Sequence, residues 1–321
     1  MSTTPPSRTI IDAIGNTPCV ELSNITSSTS ARILLKLESL NPTGSYKDRM
    51  AISVLEAAEK RKTLKPGMTV VEATGGSTGS SLAFVCAVKG YDFTVVSSDA
   101  YAQEKLNTMA AFGANVVIVQ SQGGKVTPDL VPRMRERAKQ IASPASGELA
   151  GNFYYVDQFS NRDVLDGYAA MGKELLEQIP EGIDAFCGAV GGAGMLMGVS
   201  KVLKTQQSKD CHIVALEPAS SPIITKGYGG QHSVEGIGIG FLPTILDSKL
   251  YDEALAIEES EARSMARRLA KEEGILAGTS TGLNVVAALK LAERLGPGKV
   301  VVTVACDSGL KYVRGNLFTD G

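Results

Sequence analysis

The 321-residue chain is 43% apolar, enough to bury the core of one large domain or two moderate ones. Its 32 basic and 34 acidic residues leave a net charge of −2, which argues against nucleic acid or an anionic membrane as the main partner. No apolar run reaches the span of a bilayer, the polar start MSTTPPSRTI has no signal-peptide core, and five scattered cysteines form no C-x-x-C pair, so a reduced, cytoplasmic protein is expected.

In chain order, short β runs alternate with amphipathic helices. ARILLKLE reads as a strand, and DRMAISVLEAAEKRK as a helix with apolar residues three and four apart. Strand MTVVEAT, helix TGSSLAFVCAVKG, strand DFTVVSSD, helix AQEKLNTMAAFGA and strand NVVIVQ follow. Such βαβ units imply parallel sheets with helices on both faces. The stretch SPASGELAGN marks a boundary near residue 150. Beyond it come FYYVDQ, a helix, IDAFCGAV, a helix, CHIVALEP, a looser glycine-rich segment, two helices and KVVVTVAC. The pattern predicts two α/β lobes with a cleft between them, ligands lying at the carboxyl ends of strands. With only His212 and His232 in the chain, a histidine triad or metal centre is not expected.

Four places carry chemistry. EATGGSTGSS (Glu72 to Ser81) presents backbone N–H groups and the hydroxyls of Thr74, Ser77 and Thr78 at a helix start, a nest for a carboxylate; it also reads as an ordinary βα turn capped by Ser77 or Thr78. CGAVGGAGMLMG (Cys187 to Gly198) is strand, glycines and helix, a cradle for a phosphate or simply close helix–sheet packing. Glu217, at the end of the next strand, stands roughly where a ribose-binding acid would, which keeps a nucleotide in play. GILAGTSTG places Ser280 before a helix, where it reads as an N-cap or as a hydroxyl for a ligand. NPTGSYKDRM sets Lys47 at a strand-to-helix junction, as a surface lysine or as an amine aimed into a cleft. A phosphate cradle, a carboxylate nest and such an amine together suit a phosphorylated aldehyde acting on an amino acid: pyridoxal phosphate.

These segments also resemble, in order and across nearly the whole chain, the fold-type II pyridoxal-phosphate enzymes, most closely the cysteine synthase (O-acetylserine sulfhydrylase) and cystathionine β-synthase group. IGNTPCVEL is similar to the family's opening I-G-N-T-P, and NPTGSYKDR to its lysine motif, which implies that Lys47 is the Schiff-base lysine. EATGGSTG resembles the substrate loop E-P-T-S-G-N-T-G, implying substrate contacts from Thr74, Gly75, Gly76 and Thr78 and a cofactor contact from Ser77. DQFSN matches Q-F-x-N, which implies that Gln158 meets the substrate carboxylate. HSVEGIGIGF looks like H-K-I-Q-G-I-G-A-G-F at the cleft mouth, with Gly236 lining it. GGAGM implies that Gly191, Gly192, Ala193, Gly194 and Met195 hold the phosphate, and the likeness of GILAGTSTG to G-I-S-S-G makes Ser280 the partner of the pyridine nitrogen.

The resemblance implies two three-layer α/β domains with mainly parallel sheets, tryptophan synthase β-like. A smaller substrate domain would span residues 48–152, and a larger cofactor domain residues 1–47 and 153–321, in a homodimer. It implies β-replacement on O-acetyl-L-serine, L-serine or a related β-substituted alanine by sulfide or another small nucleophile, through the Lys47 Schiff base and an aminoacrylate. β-Elimination, as in serine/threonine dehydratases or desulfhydrases, and racemisation stand as alternatives, and a nucleotide-binding oxidoreductase or a silent binding protein as a different class. The chain departs from the pattern at Gly75 (usually serine), Ser77 (usually asparagine), Met195 (a threonine in G-T-G-G-T) and Glu235 (usually glutamine), which touches the choice of substrate more than of cofactor.

Overall fold

The computed structural model describes residues 8–124, 127, 129–143 and 152–319. Its elements run β1 (Cys19–Glu21), β2 (Arg32–Lys36), α1 (Lys47–Lys60), β3 (Thr69–Ala73), α2 (Ser77–Lys89), β4 (Asp92–Ser97), α3 (Gln103–Ala111), β5 (Asn115–Ile118), α4 (Leu130–Ala142), β6 (Phe153–Tyr155), α5 (Val164–Gln178), β7 (Ala185–Ala189), α6 (Gly194–Gln206), β8 (His212–Pro218), α7 (Ile223–Lys226), β9 (Glu253–Ile257), α8 (Glu259–Arg268), α9 (Thr279–Leu295) and β10 (Val300–Val304). Two sheets result, in the orders β1-β2-β10-β7-β8-β9 and β5-β4-β3-β6. All pairings are parallel except β1 with β2. This is the expected fold class, two α/β domains with mainly parallel sheets.

Alternation along the strands makes three layers of each sheet. Val300, Val302 and Val304 pack with residues of α5 and α6, such as Leu175 and Leu196. Val301 turns the other way, among Met265 of α8 and Leu283 and Leu291 of α9. In the smaller sheet Val70 and Val95 face α2, whereas Val71 and Val96 face Leu130, Met134 and Ala138 of α4. One core runs without a break from the larger sheet through Met50, Val54 and Leu55 of α1 into the smaller sheet.

Strands β1 and β9 and helix α4 are absent from the sequence-based expectation. β1 has three residues, β9 follows a glycine-rich stretch, and α4 buries only Leu130, Met134 and Ala138 of its thirteen residues. Most of the expected boundary stretch lies outside the described residues. Directly after it β6 pairs with β3, Thr69 opposite Phe153 and Val71 opposite Tyr155, so the smaller sheet extends three residues past the expected limit at 152.

Helix α1 is fixed at its start by a buried charge network. Arg49 donates to Glu38 at 2.7 and 2.8 Å and to Glu174 at 2.7 Å, while Lys36 donates to Glu174 at 2.7 Å and to the Thr17 carbonyl at 2.6 Å. Burial alone would raise the Glu174 pKa; the hydrogen bonds from Arg49 and Lys36 outweigh it and hold the value at about 2.

Candidate active site

The α1 start delivers Lys47. The preceding loop is tied to the chain beyond β10: Ser45 bridges to Asp307, and the Tyr46 N–H donates to the Cys306 carbonyl at 3.1 Å. The Lys47 amine sits 4.5 Å from the centre of the Tyr46 ring. Burial lowers its pKa from 10.5 to about 8, against the opposing pull of Cys306 and Asp307. The share of neutral amine near pH 7 is thereby raised by roughly two orders of magnitude. Lys47 is thus no surface lysine; it lines a cleft of about 700 Å³ between the two sheets.

The carboxylate nest forms where β3 ends. Gly76 is the N-cap of α2 and no side chain caps it, so the reading of Ser77 or Thr78 as an ordinary cap fails. Thr78 Oγ1 instead donates to Gln158 Oε1 at 2.8 Å, and the Gly76 N–H donates to Thr74 Oγ1 at 3.2 Å. Glu72 braces this arrangement from behind, accepting the N–H groups of Ala73 at 2.6 Å and Gln158 at 3.0 Å. Its complete burial pushes its carboxyl up to about 8. Gly75 lies under Tyr101: a Cβ there would come within 2.0–2.2 Å of three ring carbons. The aromatic ring occupies the space that a serine at this position would need.

At the second turn Ala193 adopts a left-handed φ of +64° as the N-cap of α6. Met197 is bonded back to the Ala193 carbonyl at 3.0 Å, and the N–H groups of Gly194 to Leu196 are the open donors that every helix start provides. Gly191 must be small, because a Cβ would sit 2.1 Å from the Gly236 carbonyl oxygen. Only Gly192 of this loop reaches the cleft wall. The Met195 side chain is buried in the core, with its Cε where a Cβ on Gly188 would be. An anion could meet Met195 only through its backbone N–H, so the expected side-chain position is a packing position.

Helix α9 is capped by Gly278, not by Ser280, which lies in the first turn and faces the cleft. Next to it is Cys306, whose thiol burial pushes up to about 12 and which accepts from Asn284 Nδ2 at 3.3 Å. The cleft thus brings together Lys47, Thr74, Gly75, Gly76, Ser77, Thr78, Gln158, Gly192, Gly236 and Ser280. Gly191, Ala193, Gly194 and Met195 stand behind its wall.

Glu235, expected at the cleft mouth, does line it, from the stretch after α7. Sequence reasoning missed other parts of the lining: Tyr101 and Lys105 follow β4, and Cys306, Asp307 and Tyr312 follow β10. Their position after the carboxyl ends of parallel strands was the available signal. Tyr312 donates to Asp307 Oδ2 at 2.6 Å, and Lys311 donates to Ser77 Oγ at 3.1 Å.

These residues fit pyridoxal phosphate. Lys47 could hold an aldehyde, the open N–H groups at the start of α6 a phosphate, and the Ser280 hydroxyl a ring nitrogen. The sequence profile of the family described as pyridoxal-phosphate dependent enzyme matches residues 10–307. The chain belongs to that family. Among pyridoxal-phosphate dependent enzymes, it is 39% identical over 313 residues to a cysteine synthase of Staphylococcus aureus, a span of 97% of this chain and 96% of the relative. The solved O-acetyl serine sulfhydrylase isoform 3 of Entamoeba histolytica superposes with a TM-score of 0.92 at 32% identity, covering 100% of this chain and 94% of that one. The O-acetylserine dependent cystathionine β-synthase of Helicobacter pylori gives a TM-score of 0.88 at 30% identity, covering 98% and 100%. The nucleotide reading of Glu217 falls away for this pyridoxal-phosphate dependent enzyme. That carboxylate is consumed by its own chain, accepting from the Ile224 N–H at 2.7 Å, the Thr225 N–H at 2.9 Å and Thr225 Oγ1 at 2.6 Å.

Proposed function

We propose that the protein catalyses β-replacement on O-acetyl-L-serine or a related β-substituted alanine, with sulfide or another small nucleophile as the second substrate. The carrying observation is the buried Lys47 amine, which lines the same cleft as the carboxylate nest of residues 74–78. The similar proteins include a cysteine synthase and an O-acetyl serine sulfhydrylase, which supports this choice of substrate.

Pyridoxal phosphate, when bound, supplies an electron sink for the bonds at the substrate α-carbon. Lys47 takes the α-proton and later returns it, which an amine of pKa about 8 does far better near neutrality than one of 10.5. The N–H groups and hydroxyls of residues 74–78, with Gln158, seat the α-carboxylate, and Glu72 holds Gln158 in place. The open donors of α6 take the phosphate through charge-assisted bonds, each worth roughly 1.5–3 kcal/mol. Ser280 offers the ring nitrogen a neutral hydroxyl, favouring prompt loss of the β-substituent over a long-lived carbanion. We further infer a cytoplasmic homodimer, which sedimentation of the purified protein checks. Among the described residues no helix is long and apolar enough to cross a membrane.

The test is absorbance of the holoenzyme on adding O-acetyl-L-serine, then sulfide. A persistent new band that sulfide discharges, with cysteine as product, is the expected outcome. Spontaneous decay with release of pyruvate would establish β-elimination instead. Borohydride reduction and peptide mapping should place the cofactor on Lys47, and Lys47→Ala should abolish turnover while keeping the fold.

A further inference from the structure

Ser77, on the cleft wall, has a cation behind it. Lys311, in the turn after β10, donates to Ser77 Oγ at 3.1 Å but does not itself line the cleft. Among the described residues this is the one hydrogen bond of the Lys311 ammonium, and no carboxylate lies within ion-pair distance of it. Burial lowers its pKa, while Asp307, Asp48 and Glu235 raise it only from a distance. An ammonium carries three donors, so two of them and the charge itself have no protein partner there. The Ser77 proton is equally uncommitted. Its acceptor is Asp307 Oδ2 at 3.5 Å, the outer limit of a hydrogen bond, and that oxygen already accepts from Tyr312 at 2.6 Å. The neighbouring Thr78 hydroxyl is spent on Gln158. With one lone pair given to a cation, the Ser77 hydroxyl becomes a stronger donor toward any anionic oxygen in the cleft.

We propose that Lys311 and Ser77 form a donor relay to the phenolic oxygen of pyridoxal phosphate, in which Ser77 makes the contact and Lys311 is the positioning residue that orients and polarises it. The inference concerns the cofactor and stands apart from the β-replacement reading. The phenolic oxygen sits on the ring carbon next to the one that bears the aldehyde, so a cofactor joined to Lys47 carries it in the same cleft as Ser77. The other polar parts of the cofactor have partners of their own, the phosphate at the start of α6 and the ring nitrogen at Ser280. One proton is shared between the phenolic oxygen and the nitrogen that joins the cofactor to Lys47. A donor with a positive charge behind it favours the ionised oxygen and keeps that proton on the nitrogen, the form that absorbs visible light. Serine is shorter than the asparagine expected at this position and has one donor where an amide has two. Lys311 supplies the charge that makes the single donor sufficient. The two residues come from segments after β3 and β10 and meet only in space.

The test reads the absorption of the holoenzyme without substrate, as the ratio of its visible to its near-ultraviolet band, together with retention of pyridoxal phosphate in equilibrium dialysis. Ser77→Ala and Lys311→Met should each lower the ratio and weaken retention by roughly tenfold, the size of one hydrogen bond to a charged group. Lys311→Met in the Ser77→Ala background should add little, because the relay is already cut, and Lys311→Arg should keep the original ratio. Ser77→Ala removes only a hydroxyl from the first position of α2, which no side chain caps, so its spectrum decides even where the lysine variant fails to fold. An unchanged ratio in Ser77→Ala, or a Lys311→Met effect undiminished in the Ser77→Ala background, would overturn the inference. So would a Lys311→Met variant that loses stability in urea while keeping its spectrum, since the lysine would then be structural. If the unmutated protein shows no visible band and borohydride mapping finds no cofactor on Lys47, the lysine assignment fails and takes this inference with it; a normal band indifferent to Ser77 sinks the inference alone.

Discussion

Lys47 owes its chemistry to burial, and the sign of the effect can be followed with pH. Its charged form is penalised in the folded protein, so the proton leaves near pH 8 rather than 10.5. The rate at which cofactor-free protein takes up pyridoxal phosphate should therefore rise with pH and level off above about 8, read from the growth of the visible band. Between about 8 and 10.5 the unfolded chain holds a proton that the folded one has lost, so the stability of the cofactor-free protein should increase across that window. Gly75 has a different constraint. With the Tyr101 ring where a side chain would go, Gly75→Ser should destabilise by roughly 1–3 kcal/mol through overpacking, and Gly75→Ser with Tyr101→Ala should recover most of that loss in urea unfolding. Lys47 was legible in the sequence because its motif is contiguous. The Gly75–Tyr101 pair was not, since a missing side chain in one segment and the ring that replaces it in another meet only in space.

Among the elements, α1 carries the lysine and is itself held by charges. Arg49 faces Glu38 and Glu174 from within the core, so Arg49→Met should cost about 3–5 kcal/mol by leaving buried Glu38 without its cation and Glu174 with Lys36 alone. Chemical unfolding would show the loss, together with weaker cofactor retention as the Lys47 turn loosens. Long periodic helices and apolar strands such as α1, β3 and β10 could be read from spacing alone. Helix α4 could not: it has a proline in its first turn and few buried residues, so its pattern is mostly that of a solvated surface. Met195 shows the opposite difficulty. A residue in a glycine loop reads as a ligand contact, and only the packing against Gly188 shows that its side chain serves the core.

At the scale of the whole molecule, the cleft is assembled from segments after β3, β4, β6, β7, β8 and β10, with Lys47 entering from the start of α1 and Ser280 from the start of α9. Parallel strands place those segments at one end, which is why the general location of the site followed from the βαβ pattern while its charged wall did not. The core that passes through α1 without interruption bears on how the protein comes apart. Calorimetry of the cofactor-free protein should give one transition, and a chain divided near residue 152 should yield two insoluble fragments rather than two folded ones. What the eye counts as two domains would melt, and be inherited, as one cooperative unit: neither half can be exchanged with a homologue unless the faces of α1 travel with it.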